Sequence, residues 1–467
     1  AALAAKAGDI LAVAEDLLEA SPDLQQDRAV WCDYLAVTRY PAFLTGLPDA
    51  VARSRWAETT FRVVEDIGYS LGDMLDRRAA DQPDHVLFQE ITEPGSGSWN
   101  YAQVRRRARS IAAMILQEGA PPDLEPGGSR DSDGPRVALF CQNSLGSACC
   151  DLACLTHDIL VTPLNVHFNA DTLAWIFDRL RITVAICDHP DRLETLLAVR
   201  AKTARPFVIY TLNHCARVGE EGIHLLDERR AQRDSDQIDR ILAARPRRTM
   251  REPATVMFTS GSTGRPKGVV FNQYNLVTKR FARAAALPEV GRDEVMLCYL
   301  PLFHTFGRYL EMLGTVFWGG TYIFAGNPSA ATLLTQFQQV RPTALISVPV
   351  RWVQIRDRVM ELAQDKEKER PQAEIFREVV GDRLAWGLSA AGYLDPKVFR
   401  FFHRNGVSLC SGFGMTEGTG GLTMTPPDDY VENSVGIPLP GVKVRFSEVG
   451  ELQIAGCYIA RYLPEDA

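Results

Sequence analysis

Short apolar runs separated by amphipathic stretches recur along most of this chain, and that alternation limits the possible folds more than any other feature. Val137-Ala-Leu-Phe-Cys141, residues 160–165, Val184-Ala-Ile-Cys187 and residues 207–211 are short, apolar and bounded by turn residues, as buried strands are. Between them, Gln142-Asn-Ser-Leu145 reads as a turn into a helix that runs through Thr156, 171–180 as the next helix, and 192–200 continues the alternation. Strands that alternate with helices predict a parallel, doubly wound sheet. The pattern resumes after residue 251, with strands expected at 295–304, 320–324, 344–348, 384–388 and 407–412 and helices at 272–286, 307–318, 333–340 and 398–405. The expected class is therefore α/β with two doubly wound subdomains, 69–216 and 251–434.

The rest of the chain frames these two blocks. At 467 residues the chain is too long for one ordinary core. Residues 1–20 are rich in Ala, Leu and Glu, with Leu11, Val13, Leu17 and Leu18 at helical spacing; Ser21-Pro22-Asp23 breaks the helix and 27–40 could form another. Residues 1–68 are thus expected to be a helical N-terminal extension. The stretch 120–135 is a Pro-, Gly- and Asp-rich loop, and 217–250 is a polar, Arg-rich linker with a short helix. The net charge of −7 gives no sign of a nucleic-acid partner. The longest apolar stretch, 313–325, is interrupted by glycines, so no transmembrane segment is expected. The 10 cysteines form no CxxC pair; Cys149, Cys150 and Cys154 cluster without further metal ligands, which suits buried thiols in a reducing cytoplasm.

Chemistry concentrates in Phe258-Thr-Ser-Gly-Ser-Thr-Gly-Arg-Pro-Lys-Gly268, which lies between apolar runs. Glycines 261, 264 and 268 let backbone amides approach a ligand. Thr259, Ser260, Ser262 and Thr263 add hydroxyls, and Lys267 adds a point charge. Successive amides in such a loop make an anion-binding nest, so the implied ligand is a polyphosphate. The P-loop of nucleotide triphosphatases does not fit, because Pro266 stands where its second Gly belongs and Gly268 follows Lys267. A flexible Gly/Ser linker fits poorly, since it needs neither the Pro-Lys pair nor the flanking apolar runs.

The run Thr-Ser-Gly-Ser-Thr-Gly-Arg-Pro-Lys-Gly resembles the phosphate-binding signature of the adenylate-forming enzymes, a family of acyl-CoA synthetases, aryl-CoA ligases, luciferases and peptide-synthetase adenylation domains. Further matches extend the likeness from about Tyr69 to the last residue: Pro163-Leu-Asn165, the Leu-Pro-Leu-Phe-His304 segment, and Gly412-Phe-Gly-Met-Thr-Glu417, similar to the family's Tyr-Gly-x-Thr-Glu motif with Phe in place of Tyr. Residues 436–446 and 450–454 resemble the small β-barrel that closes the family's large domain, placing a barrel portion at 435–467. The chain stops at text resembling that just before the family's Thr-Gly-Asp motif, which implies a large domain without its C-terminal lid.

The resemblance implies a two-step reaction. A carboxylate attacks the α-phosphate of ATP to give an acyl-adenylate, and a thiol of CoA, or of a carrier protein's phosphopantetheine, then takes the acyl group. It places Thr259, Ser260, Gly261, Ser262, Thr263, Gly264 and Lys267 on the phosphates, with Lys267 and Thr416 also catalytic. It makes Ser389, Ala390 and Ala391, with Gly412, Phe413, Gly414 and Met415, the walls of an adenine slot, where Phe413 can stack. Glu417 and Thr259 would hold Mg²⁺. His304 would orient the substrate carboxylate within an acyl pocket that includes Phe303, Phe306 and Gly307. Amino-acid-activating members carry an Asp beside this segment, and none stands beside His304 here. A buried ammonium would go unpaired, so the expected substrate is a fatty or other apolar acid without an α-amine. Other readings are a loading domain serving an acyl carrier protein and a non-catalytic nucleotide-binding module on the same fold.

Overall fold

The computed structural model describes residues 2–20, 23–91, 97–119, 134–245, 247–259, 265–326, 329–364, 370–427 and 429–464. Among these, two large sheets form the frame. The eight-stranded sheet runs in the order Arg461–Tyr462, Lys267–Asn272, Pro253–Thr259, Leu160–Pro163, Arg136–Phe140, Val184–Cys187, Val208–Thr211 and Ile223–Leu225. The seven-stranded sheet runs Ser408–Ser411, Trp386–Ser389, Ala344–Ser347, Val295–Cys298, Thr321–Phe324, Val86–Glu90 and Ser98–Asn100. The inner strands pair in parallel, with Leu160–Pro163, Val184–Cys187, Ala344–Ser347 and Trp386–Ser389 buried at every residue. Strands covered on both faces read as continuous apolar runs, which is why they stood out in the sequence.

Sheet membership does not follow the sequential division expected above. The strand Val86–Glu90 pairs with Thr321–Phe324 and so belongs to the later sheet, while the hairpin Pro253–Asn272 extends the earlier one. Residues 217–250 are more than a linker: Ile223–Leu225 is an edge strand, followed by helices Leu226–Arg230 and Ser235–Ala243. Where a small barrel is expected, the described residues form antiparallel pairs, Thr423–Met424 with Ile437–Pro438 and Val442–Phe446 with Leu452–Gly456, before Arg461–Tyr462 returns to the large sheet. The expected loop at 120–135 lies almost wholly outside the described residues.

The N-terminal helices are part of the core. Helix Ala50–Ile67 starts where Asp49 accepts from the amide of Ala52 and stops at Gly68, whose φ of 63° is the left-handed cap that glycine adopts without strain. Its Trp56 is fully buried against Phe43 and against Phe281 of helix Gln273–Ala286, the helix that directly follows the glycine-rich hairpin. In helix Ala7–Ala20, Leu11 and Leu18 are buried while Val13 and Leu17 face solvent, so only half of the spacing seen in the sequence marks the packed face.

Side chains tie the two sheets together. Helix Leu145–Thr156, begun by a Ser144–Ser147 capping box, carries Asp151. Asp151 receives Arg308 from Phe306–Met312, a π-helical segment that continues as the α-helix Leu313–Trp318. A third donor of the same guanidinium reaches the Thr255 hydroxyl at 2.8 Å. Asn143 crosses the same boundary: its Nδ2 donates to the Leu300 carbonyl at 2.7 Å and its Oδ1 accepts from the Leu302 amide at 2.9 Å.

Candidate active site

The strands Trp386–Ser389 and Ser408–Ser411 lie side by side in parallel, with Ser389 opposite Ser411. The chain leaving each carboxyl end passes through Ala390–Ala391 on one side and Gly412–Phe413 on the other. Ligands of doubly wound sheets bind at such carboxyl ends. A cavity of about 200 Å³ opens there. It is walled by Ala390, Ala391 and residues 412–416 from these strand ends, by His304 from the turn before the π-helix, and by Phe306 at the start of that helix. The structure thus brings His304, Phe306, Ala390, Ala391, Gly412, Phe413, Gly414, Met415 and Thr416 into one wall set. Two wall residues hold strained backbone: Ala391 at φ 67° and the β-branched Thr419 at φ 55°. Thr419 is locked there by its hydroxyl, which donates to the Tyr458 carbonyl at 2.6 Å.

His304 is exposed at the cavity wall, yet the protein mass around it disfavours the imidazolium and lowers its pKa from the ordinary value. Its Nδ1 accepts from the Phe306 amide at 3.2 Å. A neutral ring in that arrangement carries its proton on Nε2, ready to donate. The turn that presents it is the one held by Asn143, which sequence reading took only as a turn residue. Gly307 and Phe303 are not in the cavity wall. Gly307 instead allows the π-helix to lie on the turn, since a Cβ there would sit 2.4 Å from the Leu300 carbonyl oxygen.

The phosphate loop is framed by the hairpin. Thr259 is paired with Lys267, so the two ends of the loop meet side by side. Ser260, Gly261, Ser262, Thr263 and Gly264 lie outside the described residues. The Lys267 side chain is exposed, with its Nζ 5.7 Å from the ring centre of Tyr462. The Tyr462 hydroxyl donates to Oε1 of Glu417, and that hydrogen bond, together with burial and the Glu417 charge, pushes the phenol up to about 12. Tyr462 therefore connects the two residues, Lys267 and Glu417, that the sequence assigned to phosphate and metal. Gly268 makes this possible, because a Cβ there would meet the side chain of Leu463 at 2.4 Å. Ser389 is buried behind the slot, and its hydroxyl has no hydrogen-bond partner among the described residues. Thr259, Lys267, Ser389 and Glu417 stand outside the wall of the cavity itself.

Arg280 and Arg283, which sequence reading missed, also line the cavity. Burial pulls both below the ordinary guanidinium range, and the neighbouring Arg283 charge adds to this at Arg280; a guanidinium remains cationic at neutral pH even so. The signal was legible: both lie on one helical face with Leu276 and Leu287, which are buried. Lys279 beside them, also buried, donates to the carbonyls of Gly418 and Gly421 and so pins the loop that follows Glu417.

The model of the AMP-binding enzyme family matches residues 75–461, and the chain belongs to that family. It is 24% identical over 399 residues to fatty acyl-CoA synthetase A of Dictyostelium discoideum, covering 77% of this chain and 56% of that protein. It is 24% identical over 425 residues to long-chain-fatty-acid–CoA ligase FadD15 of Mycobacterium bovis, covering 82% of this chain and 66% of the relative. The chain thus spans roughly half to two thirds of these curated relatives. Its fold is that of the anthranilate CoA ligase AuaEII, solved with anthranoyl-AMP, with a TM-score of 0.68 at 16% identity, covering 84% of this chain and 70% of that one. No described helix is long and apolar enough to cross a membrane.

Proposed function

We propose that this protein activates a carboxylic acid with ATP as an acyl-adenylate and then transfers the acyl group to the thiol of CoA. The observation that carries this reading is the convergence of the slot at Ala390–Ala391 and residues 412–416 with His304 in one cavity, next to the Lys267–Tyr462–Glu417 arrangement. A related fold holding an acyl-adenylate, and relatives named as CoA ligases, support it.

In the first step a carboxylate oxygen bonds to the α-phosphorus while the bond to the bridging oxygen breaks and pyrophosphate leaves. In the second, a thiolate attacks the acyl carbonyl and AMP leaves. Such transfers depend on positioning and charge neutralisation. The loop 259–268 and Lys267 would hold the phosphates, Phe413 would stack on adenine, Thr416 would donate to a phosphate, and the His304 Nε2–H would hold the acid. Mg²⁺ uses one or two carboxylates and completes its shell with phosphate oxygens and water. Among the described residues no group of three or more His, Cys, Asp or Glu side chains could cage a metal. Glu417 with Thr259 is a donor set of the sparse kind that Mg²⁺ accepts, and the ion would neutralise phosphate charge there. Phe306, Leu310, Leu388 and Met415 line the cavity and favour an acid with an apolar body, a fatty acid among them. The cationic Arg280 and Arg283 disfavour an α-ammonium. A cytoplasmic setting suits the buried thiols of Cys149, Cys150 and Cys154.

ATP–pyrophosphate exchange across a panel of carboxylic acids, with mass spectrometry of the product formed with CoA, tests the proposal. Exchange stimulated by acids lacking an amine, followed by an acyl-CoA mass, is the expected result. ATP binding without exchange for any acid would leave a nucleotide-binding module instead.

A further inference from the structure

We infer that the acid taken into this cavity carries a second carboxylate, held by the guanidinium groups of Arg280 and Arg283. The inference rests on the acyl-activating reading above and names the substrate class within it.

Helix Gln273–Ala286 is buried nearly throughout, including Lys279, Arg280 and Arg283, which are 1%, 4% and 4% exposed. Lys279 is satisfied by the carbonyls of Gly418 and Gly421 and lies 4.0 Å from the ring centre of Tyr458. The arginines are not satisfied in this way. Among the described residues, Nε and Nη1 of Arg280 are buried without a hydrogen-bond partner. Among the described residues Arg283 reaches only the Met424 sulfur, at 3.4 Å, a weak acceptor. The titratable groups acting on Arg280 are Arg283, which repels it, and Tyr309; those acting on Arg283 are Tyr458 and Cys410. Among the described residues no carboxylate acts on either.

Arg308 provides a comparison within the same molecule. It is equally buried, and it has a carboxylate in bidentate contact, that of Asp151. A buried cation without a counter-charge is strongly unfavourable, and a guanidinium matches a carboxylate in fork-to-fork geometry better than any neutral group. Both unpaired arginines face a cavity that also contains His304, where the reacting carboxylate would be held. The fit around Arg283 is close: a Cβ on Gly421 would come 2.4 Å from its Nη2, so the glycine leaves the space the guanidinium occupies. A short apolar body between two carboxylates satisfies the apolar walls and the unpaired charges together. A long unbranched monocarboxylate would lay methylenes against bare guanidiniums.

Matched pairs of straight-chain monocarboxylates and α,ω-dicarboxylates of equal carbon number test this, by isothermal titration without ATP and by ATP–pyrophosphate exchange. The wild type should bind the best dicarboxylate at least tenfold more tightly than its monocarboxylate partner. Arg280→Gln and Arg283→Gln should each erase that preference and Arg280→Lys should restore part of it, with thermal unfolding checking that the variants fold. Monocarboxylates that bind and exchange as well as their partners overturn the inference and leave acyl activation standing. The same holds for a dicarboxylate preference that survives both glutamine variants. An Arg280-dependent preference in titration with no exchange for any acid supports the carboxylate site and overturns acyl activation.

Discussion

The guanidinium of Arg308 donates to both carboxylate oxygens of Asp151, at 2.7 and 2.5 Å, with the two side chains 0% and 3% exposed. One belongs to the helix after Phe140 and the other to the π-helix after His304, so the pair fastens the two sheets at the level of the site. Breaking a buried pair by removing one partner strands a charge. Asp151→Asn should therefore lower stability by about 3–5 kcal/mol, read from equilibrium urea unfolding. A loss under about 1 kcal/mol, the range of exposed pairs, would show that the pair does not hold the sheets together.

Asn143 acts on the site through the backbone of Leu300 and Leu302. Asn143→Ala should cost about 1–3 kcal/mol, the penalty for leaving such groups unpaired. It should also raise the KM for the acid more than that for ATP, because the turn it holds presents His304. Equal effects on both KM values would reduce Asn143 to a structural role.

Glu417 and Tyr462 can be separated. Glu417→Gln, nearly isosteric, should raise the Mg²⁺ concentration needed for half-maximal exchange by tenfold or more while the fold persists. It should also let the Tyr462 phenol, now at about 12, fall back toward the ordinary tyrosine range in a difference titration against wild type. Tyr462→Phe should leave the Mg²⁺ requirement in place, since it frees the carboxylate. Unchanged Mg²⁺ dependence in Glu417→Gln would remove the metal role.

His157 sets an acid limit on stability. Burial lowers its pKa from 6.5 to about 4, opposed by a hydrogen bond with the Ala153 carbonyl at 3.1 Å. The folded state thus binds the proton more weakly than the unfolded chain. Its contribution is fully present above pH 6.5 and is lost as pH falls toward about 4. The loss should approach an order of 3 kcal/mol. Unfolding free energies measured across that window in wild type and His157→Gln should converge at the acid end. Parallel curves would rule out His157 as the titrating group.

The readable parts of the sequence were those where one residue type serves one purpose. Strands such as Val184–Cys187 are buried on both faces, so they are apolar at every position. The slot residues 412–416 and the hairpin ends Thr259 and Lys267 stand in a local motif. What stayed hidden depends on partners distant in sequence. Periodicity shows that Val86–Glu90 is a strand but not that it pairs with Thr321–Phe324. Ile223–Leu225 is too short to show a pattern. Asn143 looks like any turn residue, and Tyr462 stands in no motif, yet each acts through a contact made across the fold. Arg280 and Arg283 were passed over because charges on a helix usually mark its solvated face, whereas these follow the phase of Leu276.

The exchange of strands between the sheets has a kinetic consequence. Val86–Glu90 must wait for Thr321–Phe324 before its parallel ladder can form, and Val269–Val270 complete their outer pairing only with Arg461–Tyr462. Pairings of such long sequence separation slow folding, because the loop must close before any contact rewards it. A ribosome-bound chain ending near residue 250 would hold most of the strands of the first sheet but not the hairpin that extends it, and would carry two strands of the second, Val86–Glu90 and Ser98–Asn100, paired only with each other. The two halves should therefore acquire protease resistance together and late, as one cooperative unit, when the hairpin and the last strands emerge.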